Sequence, residues 1–323
     1  MRTIWISLTT LLVLLVLCLL FWLGRLPGEG ANPDQASAEQ EGTTKPTLRI
    51  GLIPERDIFE QRRRYKALAD YLSEKLQREV ALVTENTYEG ILEDYAQQRV
   101  DAAFLGSLVS TLAMDRYAAR PTLKPVMTGG VAAYRGVILV REDSPIRRVE
   151  DLAGHSIAMV RATTAGDLFP MSELMQRGLL RSSSPPQIKW VGTHDAVIRE
   201  VWAGRVDAGS AKDLRLEAYE ASHPERIFRR LVVSDSVPNN ALLLSATVTE
   251  EVEAALRSAM SAMADDPAGS EVLKALDALR FVPCEAYEYE AVYRMVESLG
   301  EDWSLIEVSG PPPARRNGRT GEH

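Results

Sequence analysis

Gln98-Arg99-Val100-Asp101-Ala102 and Gly204-Arg205-Val206-Asp207-Ala208 are near-copies set far apart in the chain. Each follows a helical pattern and opens a short apolar run, which predicts a strand. Around the first copy, Leu48–Ile53, Val80–Val83 and Val100–Leu105 read as strands, with helices over Tyr65–Leu76 and Tyr88–Gln97. Around the second, strands are predicted at Val137–Val140, Ile157–Val160, Ile188–Val191 and Val206–Gly209, with a helix over His194–Ala203. A strand at Ala241–Ser245 and helices over Glu250–Ala264 and Tyr287–Leu299 follow. Strands alternating with helices predict parallel sheets covered by helices. The echo predicts two Rossmann-like lobes with a ligand cleft between them.

Composition narrows the function. The chain has 323 residues, 46% of them hydrophobic, and a net charge of −8 with scattered basic residues, which argues against a nucleic-acid surface. Arg62-Arg63-Arg64 lies beside an apolar helical stripe and reads as a solvated helix face. Two cysteines, Cys18 and Cys284, give no disulfide framework. No metal-ligand spacing, phosphate loop or nucleophile elbow occurs, so neither a cofactor nor an enzyme is expected. A Cys284–His194 nucleophile pair lacks any activating pattern, and Cys284 reads as a buried thiol.

Ile4–Leu23 is an uncharged run of twenty residues between Arg2 and Arg25, with Trp5 and Trp22 near its ends. That length and those tryptophans predict one N-terminal transmembrane helix. A lipoprotein processed at Cys18 and a cleaved signal are the alternatives. Residues 24–46 read as a flexible tether and 311–323 as a disordered tail.

Between Ile157-Ala158-Met159-Val160 and a helical pattern lies Arg161-Ala162-Thr163-Thr164-Ala165-Gly166. The first N–H groups of a helix lack internal partners and carry partial positive charge, so such a turn suits an anion. The same threonines also suit a simple helix cap.

The order of several stretches resembles the periplasmic phosphate-, phosphite- and phosphonate-binding proteins of ABC transporters. Thr87-Tyr88-Glu89-Gly90 with Val100-Asp101-Ala102-Ala103-Phe104-Leu105-Gly106 resembles that family's tyrosine-bearing helix start and "VD-x-A-x-x-G" strand. Tyr134-Arg135-Gly136-Val137-Ile138 resembles its crossover strand, and Asp143-Ser144-Pro145-Ile146 with Asp151-Leu152-Ala153-Gly154 its lead into the second lobe. Thr163-Thr164-Ala165-Gly166 falls on its "S-T-S-G" anion turn, and Gly192-Thr193-His194-Asp195 on its "G-x-H" helix start.

The resemblance implies a periplasmic-binding-protein-like II fold, with lobe 1 over 47–137, lobe 2 over 138–236 and a return to lobe 1 over 237–310. Tyr88 and Tyr134 would reach a phosphorus oxyanion from the first lobe; Thr163, Thr164 and His194 would hold it from the second. It implies capture on the extracytoplasmic side of the cytoplasmic membrane for an ABC permease. A membrane-anchored sensory or adaptor subunit of the same fold is the alternative. Ala165 stands where the family has a third hydroxyl. Asn240 stands where aminophosphonate binders carry an acid, although Asp213 lies near another amine-contact region. Arg161 and Lys212 are extra cations near the expected cleft, contacts for a second anionic group or exposed charges. Tyr219, Tyr287 and Tyr289 read as packing residues.

Overall fold

The computed structural model describes residues 45–53, 58–306, 308 and 310–313. The expected membrane helix, nearly all of the tether and most of the tail fall outside them. Among the described residues no helix is long and apolar enough to cross a membrane.

Among the described residues thirteen strands, β1–β13, form two large sheets and a two-stranded ribbon. The first sheet has the order β13-β4-β12-β3-β1-β2. It is built from β1 (Leu48–Leu52), β2 (Val80–Thr84), β3 (Ala102–Leu105), β4 (Arg120–Met127), β12 (Ala241–Leu244) and β13 (Ala278–Pro283). The second has the order β10-β6-β9-β7-β8, from β6 (Gly136–Arg141), β7 (Ser156–Met159), β8 (Gln187–Trp190), β9 (Ala208–Lys212) and β10 (Phe228–Val233). The ribbon pairs β5 (Ala133–Tyr134) with β11 (Val237–Pro238), the two places where the chain passes from one sheet to the other.

The helices are α1 (Ile58–Leu76), α2 (Tyr88–Ala96), α3 (Ser107–Tyr117), α4 (Phe169–Gln176) and α5 (His194–Trp202). After them come α6 (Asp213–Ser222), α7 (Glu250–Ser261), α8 (Pro267–Ala275) and α9 (Glu290–Leu299).

The sequence echo has a structural cause. Asp101 and Asp207 each precede a strand, β3 and β9, that lies parallel to an earlier one, β1 and β7. The Asp101 carboxylate accepts from the backbone N–H of Arg49 in β1 at 2.7 Å. The Asp207 carboxylate accepts from the backbone N–H of Ser156 in β7 at 2.8 Å. Each aspartate thus satisfies a strand-start donor that the parallel ladder leaves over. The units β2-β1-β3 and β8-β7-β9 are therefore alike.

The expected all-parallel sheets are corrected to mixed ones. β12 runs antiparallel to β3 and β4, β13 to β4, β6 to β9, and β10 to β6. The antiparallel strands belong to the crossings and returns, where the chain reverses rather than looping through a helix. The helix predicted at Tyr65 begins at Ile58, and the strand predicted at Val206 begins at Ala208.

One apolar cluster runs through both halves, joining Leu105 and Leu112 to Ile138, Met159, Leu168 and Phe169, and to Val292 and Trp303 near the C-terminus. A second packs α1, α7 and α8 on the far face of the first sheet, and a third packs α5 and α6 on the second. Helix α9 bridges the halves: Tyr293 donates to Asp115 of α3 at 3.1 Å, and the Ser298 and Ser172 hydroxyls lie 2.6 Å apart. Cys284 is fully buried beside the Tyr289 hydroxyl, as expected of a packing pair. Tyr287 is corrected: it is 73% exposed.

Candidate functional site

The turn after β7 is held from within. Ala162 takes a left-handed conformation, φ 55°, strained for a residue with a Cβ. Its backbone N–H donates to Asp167 Oδ2 at 2.8 Å. Thr163 Oγ1 accepts from Gly166 N at 3.1 Å and donates to the Val160 carbonyl at 2.9 Å, so this hydroxyl caps its own helix. A Cβ on Gly166 would lie 2.7 Å from Thr163 Oγ1 and 2.8 Å from Val160 Cβ, so only glycine fits the turn. The chain then makes one π-helical turn, Thr164–Leu168, before α4.

Thr164 faces the other half of the molecule. Its Oγ1 accepts from the backbone N–H of Leu108, in the first turn of α3, at 2.8 Å. Gly106 caps α3 without a side chain, so the donors of that helix start point toward the same place.

These residues line an inner cavity of about 10 Å³ with Ile53, Tyr134, Ala162 and Lys212. That is room for about one water. Next to it opens a cleft of about 730 Å³ lined by residues that include Thr128, His194, Arg199, Arg215 and Asn239. Lys212 lines both spaces. It ends β9 directly opposite Gly136 of β6, which brings it to the ribbon. The residue is 9% exposed. Its Nζ donates to Asn240 Oδ1 at 3.2 Å and stands 4.5 Å from the centre of the Tyr134 ring.

Asp167 sits beneath the turn, 1% exposed, and its Oδ1 has no hydrogen-bond partner among the described residues. Burial raises its pKa to about 7 against the pull of the Ala162 N–H and of Arg161.

The structure gathers Tyr134, Thr163 and Thr164 around the inner cavity. His194 lies apart from them in the outer cleft, at the start of α5, where Thr193 caps the helix. Tyr88 opens α2 behind the cap Thr87; its side chain is outside the description. Of the extra cations, Arg161 is exposed and stacks at 4.3 Å on Trp190, whereas Lys212 is buried and lines the inner cavity. Asp213 Oδ1 accepts from the backbone N–H groups of Arg135 and Leu214, at 3.0 and 2.8 Å. Sequence reasoning missed the Leu108 N–H, since a backbone donor has no residue signature.

Two covered sheets linked by a ribbon, with polar side chains meeting between them, define a two-lobed α/β ligand-binding protein. Residues 50–289 match the family described as "ABC transporter, phosphonate, periplasmic substrate-binding protein", and the chain belongs to it. That is a family of substrate-binding proteins of transporters, not of enzymes. The phosphate-import protein PhnD of Mycolicibacterium smegmatis is 27% identical over 181 residues, 53% of this chain and 56% of its own length. The phosphonates-binding periplasmic protein of Escherichia coli is 22% identical over 67% of this chain and 64% of its own length. The matched region thus spans less than two thirds of either relative. The fold is similar to that of PhnD1 from Prochlorococcus marinus in complex with methylphosphonate, with TM-score 0.67, 18% identity, and coverage of 79% of this chain and 98% of that one. It is also similar to XAC2383 from Xanthomonas citri bound to ATP, with TM-score 0.66, 20% identity, and coverage of 81% and 100%.

Proposed function

We propose that the protein captures a phosphorus oxyanion, as phosphate, phosphite or a phosphonate, between its two lobes and delivers it to an ABC importer. The supporting observation is the convergence of Thr163, Thr164, Tyr134 and Lys212 on one cavity with the amide start of α3. Hydroxyls, amides and an ammonium together make charge-assisted bonds to an oxyanion. Relatives named for phosphate import and for phosphonate binding agree with that chemistry.

On this reading the lobes meet at the β5–β11 ribbon, which acts as the hinge, and ligand oxygens replace the Thr164 hydroxyl as the acceptor for Leu108 N–H. The inner cavity is too small for a phosphorus group, so entry requires the lobes to part. His194 and Tyr88 then move in to complete the shell. Residues 4–23 anchor the protein to the outer face of the cytoplasmic membrane. Calorimetry with phosphate, phosphite, methylphosphonate and 2-aminoethylphosphonate tests the proposal. Binding of at least one is expected, and binding of none overturns it.

A further inference from the structure

We propose that Asp167 is a positioning residue that links oxyanion capture to a proton: the anion is held with the Asp167 carboxyl protonated, and binding weakens as that proton is lost. The inference rests on the proposed capture of a phosphorus oxyanion at the inner cavity.

Asp167 stands one hydrogen bond behind the cavity wall. Its Oδ2 accepts from the backbone N–H of Ala162 at 2.8 Å, and Ala162 lines the cavity with Thr163 and Thr164. Its own backbone N–H donates to the Thr163 carbonyl at 3.0 Å. The carboxyl is therefore fixed against the back of the turn that would hold the anion. Asp167 is nearly sealed from water, so a charge on it is weakly screened. With Oδ2 taken by Ala162, Oδ1 is the oxygen left to carry a proton.

Two roles of this side chain separate. The bond to Ala162 holds that residue in its left-handed conformation with or without a ligand, so its strength cancels on binding. Charge does not cancel. An ionised Asp167 and a bound oxyanion are like charges in one poorly solvated place, and each disfavours the other. The anion thus tightens the hold of Asp167 on its proton, and by reciprocity the proton tightens the hold of the turn on the anion. Burial has already raised this carboxyl to about 7, so the protonated form is present near neutrality.

Two charged side chains act on the carboxyl: Arg161 of the turn favours its ionised form and Glu89 of α2 opposes it. The elements packed against the turn add few others. Lys212 of β9 lines the inner cavity. Glu173 of α4, Arg141 of β6 and Arg294 of α9 form ion pairs with Arg177, Asp143 and Asp235. Glu290 and Glu297 of α9 are exposed. On α3, Asp115 accepts from Tyr293 and Arg116 donates to the Pro311 carbonyl.

Calorimetry on the full chain with phosphate, phosphite and methylphosphonate between pH 6 and pH 8.5 tests this. Asp167→Asn keeps an acceptor for Ala162 N–H and carries no charge. Its affinity relative to wild type is expected to rise about tenfold across that range. The ligand's own ionisation is common to both proteins and drops out of the ratio. Asp167→Ala, which loses the acceptor, is expected to bind more weakly than Asp167→Asn at every pH. A ratio of Asp167→Asn to wild type that stays level or falls overturns the proposal. Carbon NMR of wild type labelled at its aspartate carboxyls needs no variant. One signal is expected to titrate near neutrality, and about one pH unit higher when the protein is saturated with oxyanion. No such signal, or a midpoint left unmoved or lowered, overturns the proposal. Failure of wild type to bind any phosphorus ligand instead refutes the function on which the proposal rests.

Discussion

Replacing Thr164 by valine keeps the shape of the side chain and removes a hydroxyl that accepts a backbone bond from the other lobe. In the structure that oxygen accepts from Leu108 N–H at 2.8 Å, and both residues are buried, 3% and 1% exposed. A valine methyl in its place leaves a buried amide without an acceptor, which costs about 1–3 kcal/mol. When the lobes part, water takes over the bond, so the penalty falls on the closed form rather than on folding. A penalty of that size shifts the closed-to-open ratio by roughly 5- to 150-fold. Small-angle X-ray scattering of ligand-free protein should then show a larger radius of gyration for Thr164→Val, while Thr164→Ser stays close to wild type. Bound oxyanion should restore the compact profile by giving Leu108 N–H an acceptor. A Thr164→Val profile that superimposes on wild type without ligand would refute the reasoning.

Three further outcomes are expected. Gly166→Ala pushes a methyl into Thr163 Oγ1 and Val160 Cβ, and overpacking of this kind costs about 1–3 kcal/mol; a melting temperature equal to wild type would contradict it. Asp167 binds its proton more tightly folded, at about 7, than unfolded, near the ordinary carboxylate value of 3.8. Its stabilising contribution is therefore fully present below about pH 4 and is lost as pH rises to about 7, a span on the order of 4 kcal/mol. Urea unfolding at pH 5 and pH 8 should show that slope in wild type and a flatter one in Asp167→Asn. Asp207→Ala strips the acceptor from the Ser156 N–H, and Asp101→Ala does the same to Arg49. Each should cost about 0.5–1.5 kcal/mol in urea unfolding, since water reaches these bonds, and a neutral result for both would show that the echo has no structural role.

The parts legible in the sequence were those with a short apolar run and a helical stripe beside it. The two parallel units are made of such segments. Strand β4 was not legible, because Pro121, Lys124 and Pro125 break its alternation and its partners β12 and β13 lie far along the chain. Helix α3 was missed for the opposite reason. Ser107–Met114 are all buried, so the segment has no polar face to set against an apolar one. At the candidate site, motif order singled out Thr163, Thr164 and Tyr134, which line one cavity in the structure. The burial of Lys212 depends on β9 pairing with β6, a contact that no local pattern encodes.

Helix α9 ties α3 to α4 through Tyr293 and Ser298, on elements that also pack into the shared core. Together with the ribbon it fastens one edge of the molecule, so on the proposed function opening would be a one-sided gape about that edge. Thr128 on one rim and Ala221 on the other are both exposed and both border the outer cleft. Rotation about the fastened edge would change the separation between them. Cysteines placed at these two positions in a chain with Cys18 replaced by serine would carry a fluorophore pair whose separation reports occupancy, since Cys284 is sealed in the core. The same lever would let a membrane partner sense a ligand by the distance between two rims, without touching the ligand itself.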